Sequence, residues 1–109
     1  MSSLLEACGP QGGYLDVVMC IRNGDDVNTS TDHGETGLWI TCRWGHVDAA
    51  TYLLDRGADV NRANRFGSTP LSIACFKGQT ACVRLCLDRG ADVHRAVSEG
   101  GTPLYRRPR

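Results

Sequence analysis

The sequence predicts an all-α solenoid of stacked helix–turn–helix units, each followed by a hairpin loop, with a period of 33 residues. Three observations predict it. Gly24-Asp25-Asp26-Val27-Asn28, Gly57-Ala58-Asp59-Val60-Asn61 and Gly90-Ala91-Asp92-Val93-His94 recur at steps of 33. A second ladder, Thr36-Gly37-Leu38, Thr69-Pro70-Leu71 and Thr102-Pro103-Leu104, keeps the same step. Glycines follow it too, at Gly34, Gly67 and Gly100 and again at Gly45 and Gly78. Independent motifs locked to one period of roughly 20–50 residues mark a repeat architecture.

The elements follow in order. Residues 1–30 form an irregular first unit. Gly9-Pro10-Gln11-Gly12-Gly13 places three glycines and a proline where the first helix should finish. Proline inside a helix costs about 3 kcal/mol, so that helix is expected to stop by Cys8. Gly13-Tyr14-Leu15-Asp16 matches Gly45-His46-Val47-Asp48 only with a slip of one residue. Residues 31–63 make the next unit, in which Gly37 stands where a proline would open the helix and is expected to loosen its start.

Residues 64–96 make the most regular unit. Thr69 can cap free N–H groups, and Pro70 occupies the first helical position, where its missing N–H costs nothing. Leu71, Ile73, Ala74 and Cys75 give a short helix with a small-residue face, and Gly78 supplies the left-handed residue that ends it. From Gln79 a second helix carries Val83, Leu85, Cys86 and Leu87 as apolar positions, with Arg84 and Asp88 outward. Gly90 ends that helix in the same way. Trp39, Leu53, Leu54, Leu85 and Leu87 are assigned to the core. Residues 97–105 begin a further unit, and 106–109 form a basic tail read as a solvated end. A full unit would need about 20 more residues, so a truncated C-terminal repeat is expected, with two full repeats between imperfect ends.

Composition narrows the function. A chain of 109 residues is one domain with a small core. Twelve basic and twelve acidic residues cancel, and without a basic belt nucleic acid is not expected as a ligand. No apolar run nears the roughly 20 residues that span a bilayer, and the N-terminus lacks the basic and apolar regions of a secretory signal. A cytoplasmic or nuclear location and no membrane partner are therefore expected. No G-x-S-x-G, phosphate-binding loop or H-E-x-x-H occurs, and Cys42 and His46 fall at repeat positions with structural explanations, so no enzyme activity is expected. The six cysteines contain no C-x-x-C pair and read as buried structural thiols. Cys82, Cys86 and His94 define the alternative, a metal- or redox-sensing module. The expectation is no metal and no cofactor.

The unit resembles the ankyrin repeat: a turn glycine, T-P-L-H-x-A, a G-H between the helices, a leucine-rich second helix and G-A-D-V-N. Thr36, Leu38, Gly45-His46, Leu53-Leu54 and Gly57 to Asn61 carry the resemblance in one unit. Thr69-Pro70-Leu71, Ala74, Gly78, Leu87 and Gly90 to Val93 carry it in the next. The family's histidine, which ties loop to helix, is Trp39, Ser72 and Tyr105 here, so those tethers are expected to be lost. Asn28 and Asn61 resemble positions that asparaginyl hydroxylases modify in some ankyrin proteins, but a turn role accounts for them.

The resemblance implies a protein-binding module, a monomer whose concave face is built from loop tips and first helices. The tip positions are Asp32, His33 and Glu35, then Arg65, Phe66 and Ser68, then Ser98 and Glu99. The helix positions are Arg43 with Trp44 and Phe76 with Lys77. Aromatic and arginine side chains are the usual anchors of interfaces. The alternative within the family is a fragment of a longer ankyrin protein without independent activity.

Overall fold

The computed structural model describes residues 3–94. Among the described residues six helices follow one another: α1 (Ser3–Ala7), α2 (Tyr14–Arg22), α3 (Gly37–Trp44), α4 (Val47–Asp55), α5 (Pro70–Lys77) and α6 (Thr80–Asp88). They form two layers, α1, α3 and α5 in one and α2, α4 and α6 in the other. Each helix packs on its hairpin mate and on its neighbours in the same layer. Among the described residues no strand forms, and the first loop is closed by a single antiparallel bridge between Ser30 and Thr36. The expected partial unit, the basic tail and the tip positions Ser98 and Glu99 lie outside the described residues.

The helix boundaries follow from the capping chemistry. Thr69 accepts from the Ser72 N–H, while the Ser72 hydroxyl accepts from the Thr69 N–H at 2.7 Å, a reciprocal capping box with Pro70 just inside. Thr36 caps α3 through the Trp39 N–H at 3.3 Å even without a proline. Gly37 has a packing role instead: a Cβ there would stand 3.0 Å from the Cys8 sulfur. Gly45 and Gly78 end α3 and α5 at φ of 78° and 72°, the left-handed region that glycine enters freely.

The irregularity of the first unit lies elsewhere than the sequence suggested. Helices α2, α4 and α6 begin and end at steps of 33, so Tyr14 aligns with Val47 and the slip at Gly13–Asp16 is absent. In α1 the fully buried Leu4 and Cys8 stand 34 residues before their counterparts Leu38 and Cys42. The extra residue is therefore taken up between Cys8 and Gly13. Helix α1 stops at Ala7, as the proline argument requires.

The units are stitched by side chains that repeat with the period. Asn28 Oδ1 accepts from the Asp59 N–H at 3.1 Å, and Asn61 Oδ1 accepts from the Asp92 N–H at 2.6 Å. The Gln79 amide donates to the Arg43 carbonyl at 3.0 Å, and His46 Nε2 meets the Gly9 carbonyl at 2.8 Å one unit earlier. These bonds occupy backbone groups that would otherwise be orphaned at turns and helix ends.

Two expectations are corrected. At Trp39 and Ser72 the loop tethers are replaced, not lost, while Tyr105 lies outside the described residues: the Trp39 indole N–H donates to the Ser68 hydroxyl at 3.1 Å, and the Ser68 and Ser72 hydroxyls lie 3.1 Å apart. Leu87 is not core. It is 46% exposed, whereas Leu53 and Trp39 are buried and Leu54 and Leu85 are half-buried against the core. On α6 the buried face is set by Cys82 and Cys86, and Leu87 falls one position beyond it.

Candidate protein-binding surface

Two loop tips project ahead of α3 and α5, and each is organised by one polar side chain. Thr31 Oγ1 accepts from the N–H groups of His33 and Glu35, both at 3.2 Å. In the next unit Asn64 Oδ1 accepts from Phe66 at 2.9 Å and Ser68 at 3.0 Å. The same turn is thus built by threonine in one unit and asparagine in the next. The Arg65 N–H donates to the His33 carbonyl at 2.8 Å, which joins the tips. The His33 and Phe66 rings then stack with centroids 6.0 Å apart and planes 27° apart. Asp32, His33, Arg65 and Phe66 are exposed, and Glu35 is half-buried. Ser68 is half-buried, its hydroxyl engaged by Trp39 and Ser72.

The other four positions close the first-layer helices. Arg43 and Trp44 are the last residues of α3, and Phe76 and Lys77 the last of α5. The Arg43 guanidinium lies 5.0 Å from the Trp44 ring centre, and the Lys77 ammonium 5.6 Å from that of Phe76. Each cation–π contact is worth about 0.5–1 kcal/mol at an exposed site, enough to bias both side chains toward a shared position. Trp44, Phe66 and Phe76 are 43%, 69% and 58% exposed. Among the described residues the ion pair is Arg89 with Asp55, at 2.7 Å, between α6 and α4. The charges of Arg43, Arg65, Lys77, Asp32 and Glu35 take no part in it.

Sequence reasoning passed over a second exposed apolar group. Leu15 is 72% exposed on α2, with Met19 one turn on and Tyr14 beside it. The spacing of 15 and 19 against the buried Val17 was a readable signal. Tyr14 meets Tyr52 of α4 edge-on, with ring centres 6.1 Å apart, so this patch belongs to the second layer.

Four of the six thiols, Cys8, Cys42, Cys82 and Cys86, lie in the core. Cys42 of α3 and Cys86 of α6 have sulfurs 3.7 Å apart, and Cys82 is fully buried one turn from Cys86. Hydrogen bonding to Cys82 and Cys86, together with burial, pushes the Cys42 thiol well above its ordinary range. Burial, with a smaller effect of Cys20, pushes Cys8 up to about 12. Cys20 and Cys75 are half-buried and also raised, mainly by burial. Cys82 and Cys86 therefore turn to Cys42 and not to His94, which is exposed. No group of three potential metal ligands gathers among the described residues.

A labelling pattern follows from this burial. Native protein treated with iodoacetamide at pH 7 is expected to be alkylated slowly, and only at Cys20 and Cys75. Raising the pH to 9 increases the thiolate fraction at both sites and speeds their labelling. Cys8, Cys42, Cys82 and Cys86 should react only after unfolding, as peptide mass spectrometry would show.

The family model of ankyrin repeats in three copies matches residues 4–105. The chain belongs to the ankyrin repeat family. Among solved structures, the human ASB11 ankyrin repeat domain is similar, with a TM-score of 0.79 and 37% sequence identity over 89% of this chain. The match covers 48% of that domain, so the chain spans about half its length. No curated protein matches the chain in sequence. Ankyrin repeats generally serve as protein–protein interaction modules. No helix among the described residues is long and apolar enough to cross a membrane.

Proposed function

We propose that this ankyrin array binds a partner protein on its concave face, with Trp44, Phe66 and Phe76 as the anchors. The supporting observation is the recurrence of an exposed aromatic ring with a cation over it at the end of both α3 and α5. Trp44 aligns with Lys77 and Arg43 with Phe76, so each unit places one exposed aromatic ring and one cation on the last two residues of its first helix. Arg43, Arg65 and Lys77 supply donors around these anchors, and Asp32, His33 and Glu35 form the first tip. Ser68 contributes by holding the second tip to Trp39, since its hydroxyl is already engaged.

The function proposed is presentation of a preformed surface, by a monomer inside the cell, without catalysis or cofactor. The stitching bonds from Asn28, Asn61, His46 and Gln79 support a surface that is rigid before the partner arrives. Rigid presentation lowers the ordering cost of association. The test is affinity capture from cell extract with the wild-type chain and with the Trp44→Ala/Phe66→Ala/Phe76→Ala variant. A partner retained by the first and lost by the second supports the reading. Equal retention by both contradicts it.

A further inference from the structure

We infer that the groove between α1 and the first hairpin loop is a subsite for one lysine or arginine side chain of the bound partner segment. The inference rests on the reading of the loop-tip and first-helix face as the docking surface, and it adds Leu5, Glu6, Thr29, Ser30 and Ile40 to the Asp32 named there.

The groove has a volume of about 680 Å³. That lies within the roughly 300–1,000 Å³ of sites that enclose small ligands, so a long side chain and its flanking backbone fit. Leu5 and the buried Ile40 give it apolar lining, Thr29 and Ser30 give it hydroxyls, and Glu6 and Asp32 give it two carboxylates. Among the described residues no lysine or arginine lines it, and neither carboxylate is in an ion pair. An apolar stem ending in a cation matches this lining better than any other side chain. Lysine and arginine bury their methylenes on apolar surface while the head group stays with charge or water.

The groove is not a general feature of the repeat. With α1 offset by 34 residues, the counterpart of Leu5 in the next unit is Trp39, whose indole reaches across to Ser68. The counterpart of Glu6 is Ile40, and those of Thr29 and Asp32 are Arg62 and Arg65. In the next unit those positions therefore carry an indole and two arginines instead. The named surface positions carry both signs, acidic at Glu6, Asp32 and Glu35 and basic at Arg43, Arg65 and Lys77. Complementary charge fixes the direction in which a segment lies.

The experiment uses the full chain with labelled leucine and isoleucine methyl groups and two blocked tripeptides, Gly-Arg-Gly and Gly-citrulline-Gly. Citrulline keeps the shape of arginine and removes its charge. The expected result is a saturable shift of the Leu5 and Ile40 methyl signals with the arginine peptide, weakened by added salt and at least tenfold weaker with citrulline. The isosteric Glu6→Gln/Asp32→Asn variant should lose the response while keeping the remaining methyl spectrum, which reports that it is folded. Equal response to both peptides, no response at Leu5 and Ile40, or an unchanged response in the variant overturns the assignment. The Trp44→Ala/Phe66→Ala/Phe76→Ala chain should keep the arginine response whatever its capture assay gives, so the groove and the wider surface fail separately.

Discussion

Leu53→Ala is expected to destabilise the protein by about 2–5 kcal/mol, the range for emptying a buried leucine site. Leu53 is fully buried in α4, and its Cδ1 would lie 3.5 Å from a Cβ placed on Gly37 at the start of α3. Its side chain thus fills the space where α4 meets the opening of α3, close to Leu4 and Cys8 of α1. The close approach that Gly37 permits leaves little freedom for the helices to collapse onto the cavity. A domain of this size holds about 5–15 kcal/mol in all, so the loss is a large share. In a repeat array each unit relies on its neighbours, and damage in the middle unit weakens both of its interfaces. A urea titration followed by far-UV circular dichroism in reductant measures it. Leu87→Ala is the comparison: with Leu87 half in solvent, its midpoint should move far less.

The second large effect concerns binding. Truncating interface anchors costs about 2 kcal/mol or more each, and the losses are not additive. For Trp44→Ala/Phe66→Ala/Phe76→Ala the expectation is a fall in partner affinity of at least about 100-fold. The rings are exposed, so their removal should leave the urea midpoint nearly unchanged. Loss of binding with retained stability separates a contact role from a structural one. Leu15→Ala/Met19→Ala is the matched control, because it removes as exposed an apolar pair from the second layer. Its affinity should stay close to wild type. The opposite pattern, with the α2 variant losing the partner, would move the binding site to that layer.

Much of the fold was legible because its punctuation is local. Thr69-Pro70, Gly45, Gly78 and the D-V-N turns act on backbone groups a few residues away, so their meaning survives in one dimension. What was not legible depends on distant partners. The Trp39 indole finds Ser68 across 29 residues, and no local rule says that a large ring can take over the work of a histidine. Gly37 looks like a defect in a helix start until Cys8 is seen against it. The offset of α1 shows only when Leu4 and Cys8 are found buried as Leu38 and Cys42 are. Leu87 looked like core because it matches Leu54 by period, yet only one of the pair is covered.

For the candidate surface, the positions could be read and their relations could not. Register placed Trp44 and Phe76 one period apart, less one residue, at helix ends. The stacking of His33 on Phe66 and the bond from Arg65 to His33 needed the loops to be laid side by side. The groove at Leu5 and Glu6 was hidden for the same reason, since its walls come from α1, the first loop and α3.

The most direct test of the central claim is an amide hydrogen-exchange footprint of the chain with its captured partner bound. Slowed exchange is expected at the tips, residues 31–35 and 64–68, and around Arg43-Trp44 and Phe76-Lys77, with α2, α4 and α6 unchanged. Slowed exchange confined to α2, α4 and α6, with the tips exchanging as in the free protein, would contradict it.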